Sequence, residues 1–401
     1  MRRESAPDGV VRVQFEAKGL MHEHMARIRM GCDGRVSQYP FIVASQHGAT
    51  LTAMPSSDSL PFLPARTDRE YNLCAVGTAL IDFLSHADLD VVTAIGVEPG
   101  AMTLIDGATA ATIRAAVGAG EKIASGGTVA NTAVGVASLG GSPVYVGAVA
   151  DDDLGRRYAA DLEEAGVSPV LEQLPVAADG VTGTGTCYVL VTPDGQRTMA
   201  TTLGVSGLLG HETITPAVIA ASSIVYFDGY LLDFPDATNI IDRIIELAEE
   251  SLTLVALGLA DPFVVGRHGD RLRELADRVD LLFSNRDEAM AMTGAASIED
   301  AMEALRRPGR AIVITDGAAG ALLGNGDGVV HVDAVPVASV VDTTGAGDLF
   351  AAGVAYGAAL GLDAESCGGL GALCAAEAIS HLGARPATGL HELAVEAGLF
   401  S

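Results

Sequence analysis

Short apolar runs recur along the chain from Tyr71 onward, separated by stretches with helical spacing. Residues 71–77 are apolar almost throughout and stop at a glycine, which predicts a buried strand. Residues 129–139 predict a helix opened by Gly126-Gly127-Thr128, and 144–149 a second buried strand. A helix over 154–165 and a short strand near Val167 follow. Residues 186–191 and 197–202 alternate with period two, and the Thr192-Pro193-Asp194-Gly195 turn between them is a strong hairpin signal. Farther on, 223–227, 253–257, 280–283 and 311–315 are apolar runs, with helices such as 236–249 and 298–305 between them. Such alternation predicts an α/β fold with a mostly parallel sheet covered by helices on both faces. The hairpin at about 183–203, with a segment at about 90–110, breaks the rhythm and is assigned to a small separate sheet. No internal repeat is visible.

Residues 1–70 differ from the rest. Their periodicity is poor and they end in Pro55-Ser56-Ser57-Asp58-Ser59 with Pro61 and Pro64. They read as a weakly ordered extension, or as residues ahead of a natural start at Met54, leaving 71–401 as the folded domain. His22-Glu23-His24 has the look of a metal pair and is read as chance. Hydrophobic residues make up 49% of the chain, aromatics 4%, with 48 glycines and no Trp, so the core is built from Ala, Val, Leu and Gly.

A net charge of −27 argues against a nucleic-acid backbone or an anionic membrane as partner. A chain so acidic would need local positive help to hold any anionic ligand, and its only lysines are Lys18 and Lys122. The five cysteines are scattered without a CxxC pair, which reads as reduced thiols in the cytoplasm with no zinc site. The longest apolar run, 349–362, is too short to span a bilayer, and residues 1–30 carry no secretory signal.

The densest chemistry lies in Val341-Asp342-Thr343-Thr344-Gly345-Ala346-Gly347-Asp348, which runs through a glycine turn into an Ala-rich helix. Glycines there let backbone N–H groups gather around an anion at the helix N-terminus. A carboxylate beside an anion cradle is ill suited to gripping phosphate passively. It suits a base that takes a hydroxyl proton while the cradle holds a transferring phosphoryl group. On these residues alone, an ordinary acid-capped turn stands level with that reading.

Other candidates are weaker singly. Asp82, read at the end of the first strand region, has a carboxylate able to accept from a vicinal diol. Gly126-Gly127 precede a helix with Asn131 on its first turn. Asn285 and Glu288 share a helical face after an apolar strand and offer oxygens of the kind that suit Mg²⁺. Thr315-Asp316-Gly317 through Gly320 closes another strand and would wrap a nucleotide, and Asp228-Gly229-Tyr230 is similar and less specific. Each reads equally well as a plain turn or cap. The chain has no GxxxxGK[ST], complete GxGxxG, HExxH or GxSxG, which sets aside a P-loop enzyme and weakens nicotinamide or flavin chemistry.

The order of these features, a glycine pair with Asn131, then Asn285 with Glu288, then Asp342-Thr343-Thr344-Gly345-Ala346-Gly347-Asp348, resembles the ribokinase-like (PfkB-type) carbohydrate kinases from about Tyr71 to the C-terminus. Within that family the chain is similar to bacterial adenosine-kinase-like sugar kinases. The residues concerned are Gly126-Gly127-Thr128-Val129-Ala130-Asn131-Thr132-Ala133, Thr184-Gly185-Thr186-Cys187, Thr192-Pro193-Asp194-Gly195-Gln196-Arg197-Thr198-Met199, Gly229-Tyr230-Leu231 and Gly383-Ala384-Arg385-Pro386.

The resemblance implies a three-layer α/β/α domain with a β-sheet lid. It implies Asp348 as base and the backbone of Gly345, Ala346 and Gly347 as anion hole. Asp82, Gly127 and Asn131 would hold acceptor hydroxyls, and Arg197 would reach the transferring phosphate. ATP would lie by Asn285, Thr315, Gly317 and Gly320, with Mg²⁺ organised through water by Asn285 and Glu288. Asp342 and Thr344 stand where a monovalent cation such as K⁺ is often bound. The implied partner is a small nucleoside or sugar, with two copies pairing through the lid. The expected reaction is ATP-dependent phosphorylation of a primary hydroxyl, adenosine to AMP first. Alternatives are a kinase of ribose, fructose or a keto-deoxy sugar acid, and a non-catalytic sensor on the same scaffold. Thr78 departs from the family, standing where Asn is frequent.

Overall fold

The computed structural model describes residues 61–64, 66–100, 102–118, 122–176, 182–192, 197–326 and 328–400, with the backbone of three short strands near the N-terminus. Those three, β1 (Arg2–Ser5), β2 (Val10–Gln14) and β3 (Ile28–Arg29), pair antiparallel in the order β1-β2-β3. His22-Glu23-His24 and Met54 lie outside the described residues.

The next strands along the chain are β4 (Tyr71–Val76), β5 (Leu80–His86), β6 (Met102–Leu104), β7 (Lys122–Gly126), β8 (Pro143–Ala150), β9 (Ser168–Leu174) and β10 (Gly185–Val191). They are followed by β11 (Arg197–Thr202), β12 (Ser222–Asp228), β13 (Leu254–Gly258), β14 (Leu281–Asn285), β15 (Ala311–Thr315), β16 (Ala321–Gly324) and β17 (Val329–Val332). A nine-stranded sheet runs β17-β16-β15-β14-β13-β12-β4-β8-β9, parallel except where β16 and β17 fold back at one edge. A five-stranded sheet, β6-β11-β10-β5-β7, stands apart from it.

The continuous apolar runs have a simple cause. Along β12, Ile224 and Tyr226 pack into one hydrophobic cluster while Val225 and Phe227 pack into another. Ala311 and Val313 of β15 join the first, and Ile312 and Ile314 the second. Both faces are therefore dry, and alternation with polar residues is absent. One face is covered by helices Thr128–Ser138 and Ala346–Ala359, the other by Ala237–Ser251, Pro262–Ala276 and Ile298–Leu305. This is the ribokinase-like architecture of a large, mostly parallel sheet between helical layers, with a small second sheet.

Two details differ from the sequence reading. Within 90–110 only Met102–Leu104 is a strand, since Leu89–Ala94 and Gly107–Val117 are helices. The small sheet instead takes β5 and β7, so Asp82 sits inside a lid strand rather than at the end of the first main-sheet strand. The packed chain also begins ahead of Tyr71. Phe62 and Leu63 are buried, Phe62 N donates to Leu362 O at 2.8 Å, and the Arg69 guanidinium donates to the carbonyls of Ala220 and Ser251.

Candidate active site

Gly345 adopts φ 79°, ψ −2° and caps the N-terminus of helix Ala346–Ala359. A Cβ there would also lie 2.6 Å from Ala384 Cα, so conformation and packing both demand glycine. Beside Gly347 no heavy atom lies within 4 Å of where a Cβ would stand, and the first turn opens on that side. Asp348 follows within this turn. Its carboxylate accepts from Asn131 Nδ2 at 2.9 Å, and its carbonyl accepts from Thr132 Oγ1 at 3.1 Å. Asn131 and Thr132 come from helix Thr128–Ser138, whose N-terminus is set by Gly127 at φ 97°. A Cβ on Gly127 would stand 2.3 Å from Thr78 O. Two helix N-termini thus converge on one carboxylate. The remaining amide atom, Asn131 Oδ1, is buried without a hydrogen-bond partner.

Four acids shape the electrostatics. Burial, opposed by the Asn131 hydrogen bond and reinforced by the charges of Asp228, Asp82 and Glu288, moves Asp348 from 3.8 up to about 7. Burial raises Asp82 to about 7 against the pull of Arg385 and Arg197. Asp228, at the end of β12, accepts from Thr128 Oγ1 at 2.5 Å and is raised by burial to about 6. A carboxylate that titrates near neutrality at a helix N-terminus is suited to taking a proton from a hydroxyl.

Asp82 lines a cleft between the small sheet and the segment 382–385. A Cβ on Gly126 would lie 2.2 Å from its Oδ2, so glycine makes room for the carboxylate. Arg197, at the start of β11, is fully engaged. Its Nη1 donates to Thr344 Oγ1 at 2.5 Å and its Nη2 pairs with Asp342 Oδ2 at 2.5 Å. Asp342 also accepts from the amides of Thr344 and Gly383, both at 2.8 Å. Burial raises the Asp342 carboxyl, but these amides, the Thr344 hydroxyl and Arg197 outweigh it and hold it below its ordinary value. The residues expected to bind a monovalent cation therefore already hold a cation, the lid guanidinium, and the set does not fit a second one. Arg197 joins lid to catalytic turn in this arrangement and lines the cleft beside Asp82.

On the nucleotide side, Asn285 and Thr315 end neighbouring strands and are paired in register. Asn285 and Glu288 form a reciprocal cap on helix Arg286–Thr293. Asn285 N and Nδ2 donate to Glu288 at 3.0 and 2.6 Å, and Glu288 N donates back at 2.9 Å. Burial, with Asp261 and Asp287 adding to it against the Asn285 amide, raises Glu288 to about 7. Such crowding of acids fits a divalent cation, though among the described residues no three His, Cys, Asp or Glu side chains gather as a metal site. The ion would come with the nucleotide phosphates. Gly317 and Gly320 have φ 53° and 90° in the turn after Thr315, and Asp316 pairs with Arg286 at 2.6 Å. Asp228, Asn285 and Thr315 all lie at the C-terminal ends of parallel strands, where open α/β sheets bind ligands.

Residues 114–389 match the pfkB family carbohydrate kinase profile. The chain belongs to the pfkB family. Among solved structures, a probable sugar kinase from Rhizobium etli is 35% identical with a TM-score of 0.77, covering 83% of this chain and 100% of its own. An adenosine kinase from Sinorhizobium meliloti is 36% identical with a TM-score of 0.76, covering 82% and 99%. An uncharacterized sugar kinase from Archaeoglobus fulgidus is 30% identical over 254 residues, 63% of this chain and 97% of its own length. As a pfkB-family kinase this protein is a phosphotransferase with an alcohol acceptor, using ATP and a divalent metal. Among the described residues no helix is long and apolar enough to cross a membrane.

Sequence reasoning assigned no role to Thr132 or Arg385. Thr132 carried no signal beyond a polar residue on an apolar helix. Arg385 was visible only as one letter of a family-like string, since nothing local marks where its guanidinium lies.

Proposed function

We propose that this kinase transfers the γ-phosphoryl group of ATP to a primary hydroxyl of a ribosyl or sugar acceptor, with Asp348 as the base. The observation that carries this is the Asp348–Asn131 pair at a helix N-terminus, with Asn131 Oδ1 left unpartnered beside it. An acceptor hydroxyl fits this pair: it donates its proton to Asp348, and a neighbouring hydroxyl donates to Asn131 Oδ1. As the acceptor oxygen bonds to phosphorus, the bond to ADP breaks and Asp348 takes the proton. The amides of Gly345, Ala346 and Gly347 face the charge spreading over the transferred group. Asp82, on the lid, accepts from further hydroxyls, and Gly127, which starts the helix carrying Asn131, borders the acceptor. Asn285, Thr315, Gly317 and Gly320 border the nucleotide. Mg²⁺, bound with ATP beside Glu288, would supply charge neutralisation at the phosphates. Closure of the small sheet keeps water from competing as acceptor.

The likeness to the S. meliloti adenosine kinase supports a nucleoside, and the equal likeness to the R. etli sugar kinase supports a sugar. The test is ADP release over adenosine, ribose, fructose and a keto-deoxy sugar acid, with ³¹P NMR of the product. The expected product shows its phosphorus coupled to a CH₂ group. Phosphate found on a secondary carbon, or ADP release unaffected by every acceptor, overturns the proposal.

A further inference from the structure

We propose that Arg385 is an acceptor-binding residue and that the acceptor carries an anionic group with two oxygens, a carboxylate or phosphate monoester, gripped side-on by Arg385 Nε and Nη2. This rests on the kinase reading above and narrows its acceptor.

Both of those nitrogens are buried and lack a hydrogen-bond partner. They form one edge of the guanidinium, where two N–H bonds point the same way and match two oxygens of a single anion. A buried cationic edge without a partner is unfavourable, and an anionic group entering the cleft with the acceptor would pair with it. The place is right for that. Arg385 lines a cleft of ≈ 230 Å³ together with Asp82, Lys122, Arg157, Asp161 and Arg197. Its neighbour Ala384 packs on Gly345, and Thr344 of the catalytic turn lines the same cleft.

Charge counting points the same way. Arg197 is balanced by Asp342 at 2.5 Å, and Arg157 lies 3.5 Å from Asp161. Lys122 Nζ donates to Leu382 O at 3.2 Å, a neutral partner. Asp82 offsets one of Lys122 and Arg385, which leaves one positive charge over, in a chain whose net charge is −27. Arg385 also acts on the Asp82 carboxyl, pulling it down, whereas the charges acting on Asp348 are those of acids. Arg385 and Asp82 line the same cleft, and the guanidinium is assigned with Asp82 to its acceptor end.

The test is calorimetric binding to the full chain without nucleotide, using gluconate and ribose 1-phosphate as anionic probes and ribose and adenosine as neutral ones. At least one anion should bind roughly tenfold or more tightly than ribose, the scale of a charge-assisted pair of hydrogen bonds. Arg385→Leu should abolish that preference with ribose binding unchanged, and Arg385→Lys should restore part of it. With ATP present, the Leu variant should raise KM for the anionic acceptor while kcat holds. Equal binding of neutral and anionic probes to the wild-type chain, or binding of neither anion, overturns the proposal without any variant. An equal fall in kcat for every acceptor in Arg385→Leu also overturns it, by placing Arg385 on the transferring phosphate. Absence of ADP release with anions that bind would instead count against the kinase reading alone.

Discussion

Replacing Asp348 with Asn removes a titrating charge while keeping an oxygen that accepts from Asn131 Nδ2. In the folded chain the Asp348 carboxyl is raised from 3.8 to about 7, chiefly by burial. Between those values the folded state holds a proton that the unfolded chain has released, so its stability falls as pH rises through that window and levels off above it. The interval from pH 5 to the folded value is about two units, or roughly 2.7 kcal/mol at 1.36 kcal/mol per unit. Asp228, Asp82 and Glu288 contribute to the same crowding and relax when one charge is removed, which leaves about 1–2 kcal/mol for the substitution itself. Urea denaturation of wild type and Asp348→Asn at pH 5 and pH 8 measures the difference. The variant should gain about 1–2 kcal/mol over the wild type on going from pH 5 to pH 8. An advantage that is constant, or that shrinks as pH rises, would mean that Asp348 ionises as an ordinary surface acid, and the reasoning about a tuned base would fail.

Gly345→Ala forces a Cβ against Ala384 at a left-handed backbone position, and should cost about 2 kcal/mol or more in urea denaturation. An unchanged midpoint would contradict the turn described above. Arg197→Met strands the fully buried Asp342 carboxylate and unties the lid from the catalytic turn, a loss of about 3 kcal/mol. Because Asp342 lies below its ordinary value, its contribution is present above about pH 4 and lost as pH falls through the folded value. The variant should therefore lose part of the wild type's acid-side pH dependence, together with amide protection in β10 and β11. Glu288→Ala removes the reciprocal cap on helix Arg286–Thr293, which should cost about 1 kcal/mol and raise KM for ATP more than KM for the acceptor. An unaltered KM for ATP would take Glu288 out of the nucleotide site.

The main-sheet strands were legible because both of their faces are buried, so each stands out as a short unbroken apolar run. β5 was not. It begins four residues after β4 ends, and its Asp82 and Ser85 blur the run, so Asp82 read as the end of the first strand region although Leu80–His86 pairs in another sheet. Helix Gly107–Val117 is rich in Thr and Ala with little apolar patterning, and its cap at Asp106 is its clearest local signal. In the site, the glycine turn and Asp348 could be read locally because the chemistry is compressed into one strand-to-helix junction. The pairing of Asn131 with Asp348 joins residues 217 positions apart and follows only from how two helices pack on the sheet. The capture of Asp342 by Arg197 likewise depends on the lid meeting the catalytic turn. No spacing in the sequence reports that contact, and none reports the unpartnered edge of Arg385.

The most direct test of a carboxylate base working beside helix amides is single-turnover phosphoryl transfer by Asp348→Asn with saturating ATP and the acceptor that releases most ADP. The transfer rate should fall roughly a hundredfold or more, the scale of a lost general base, while acceptor binding changes little. A variant that transfers at near the wild-type rate would contradict the account.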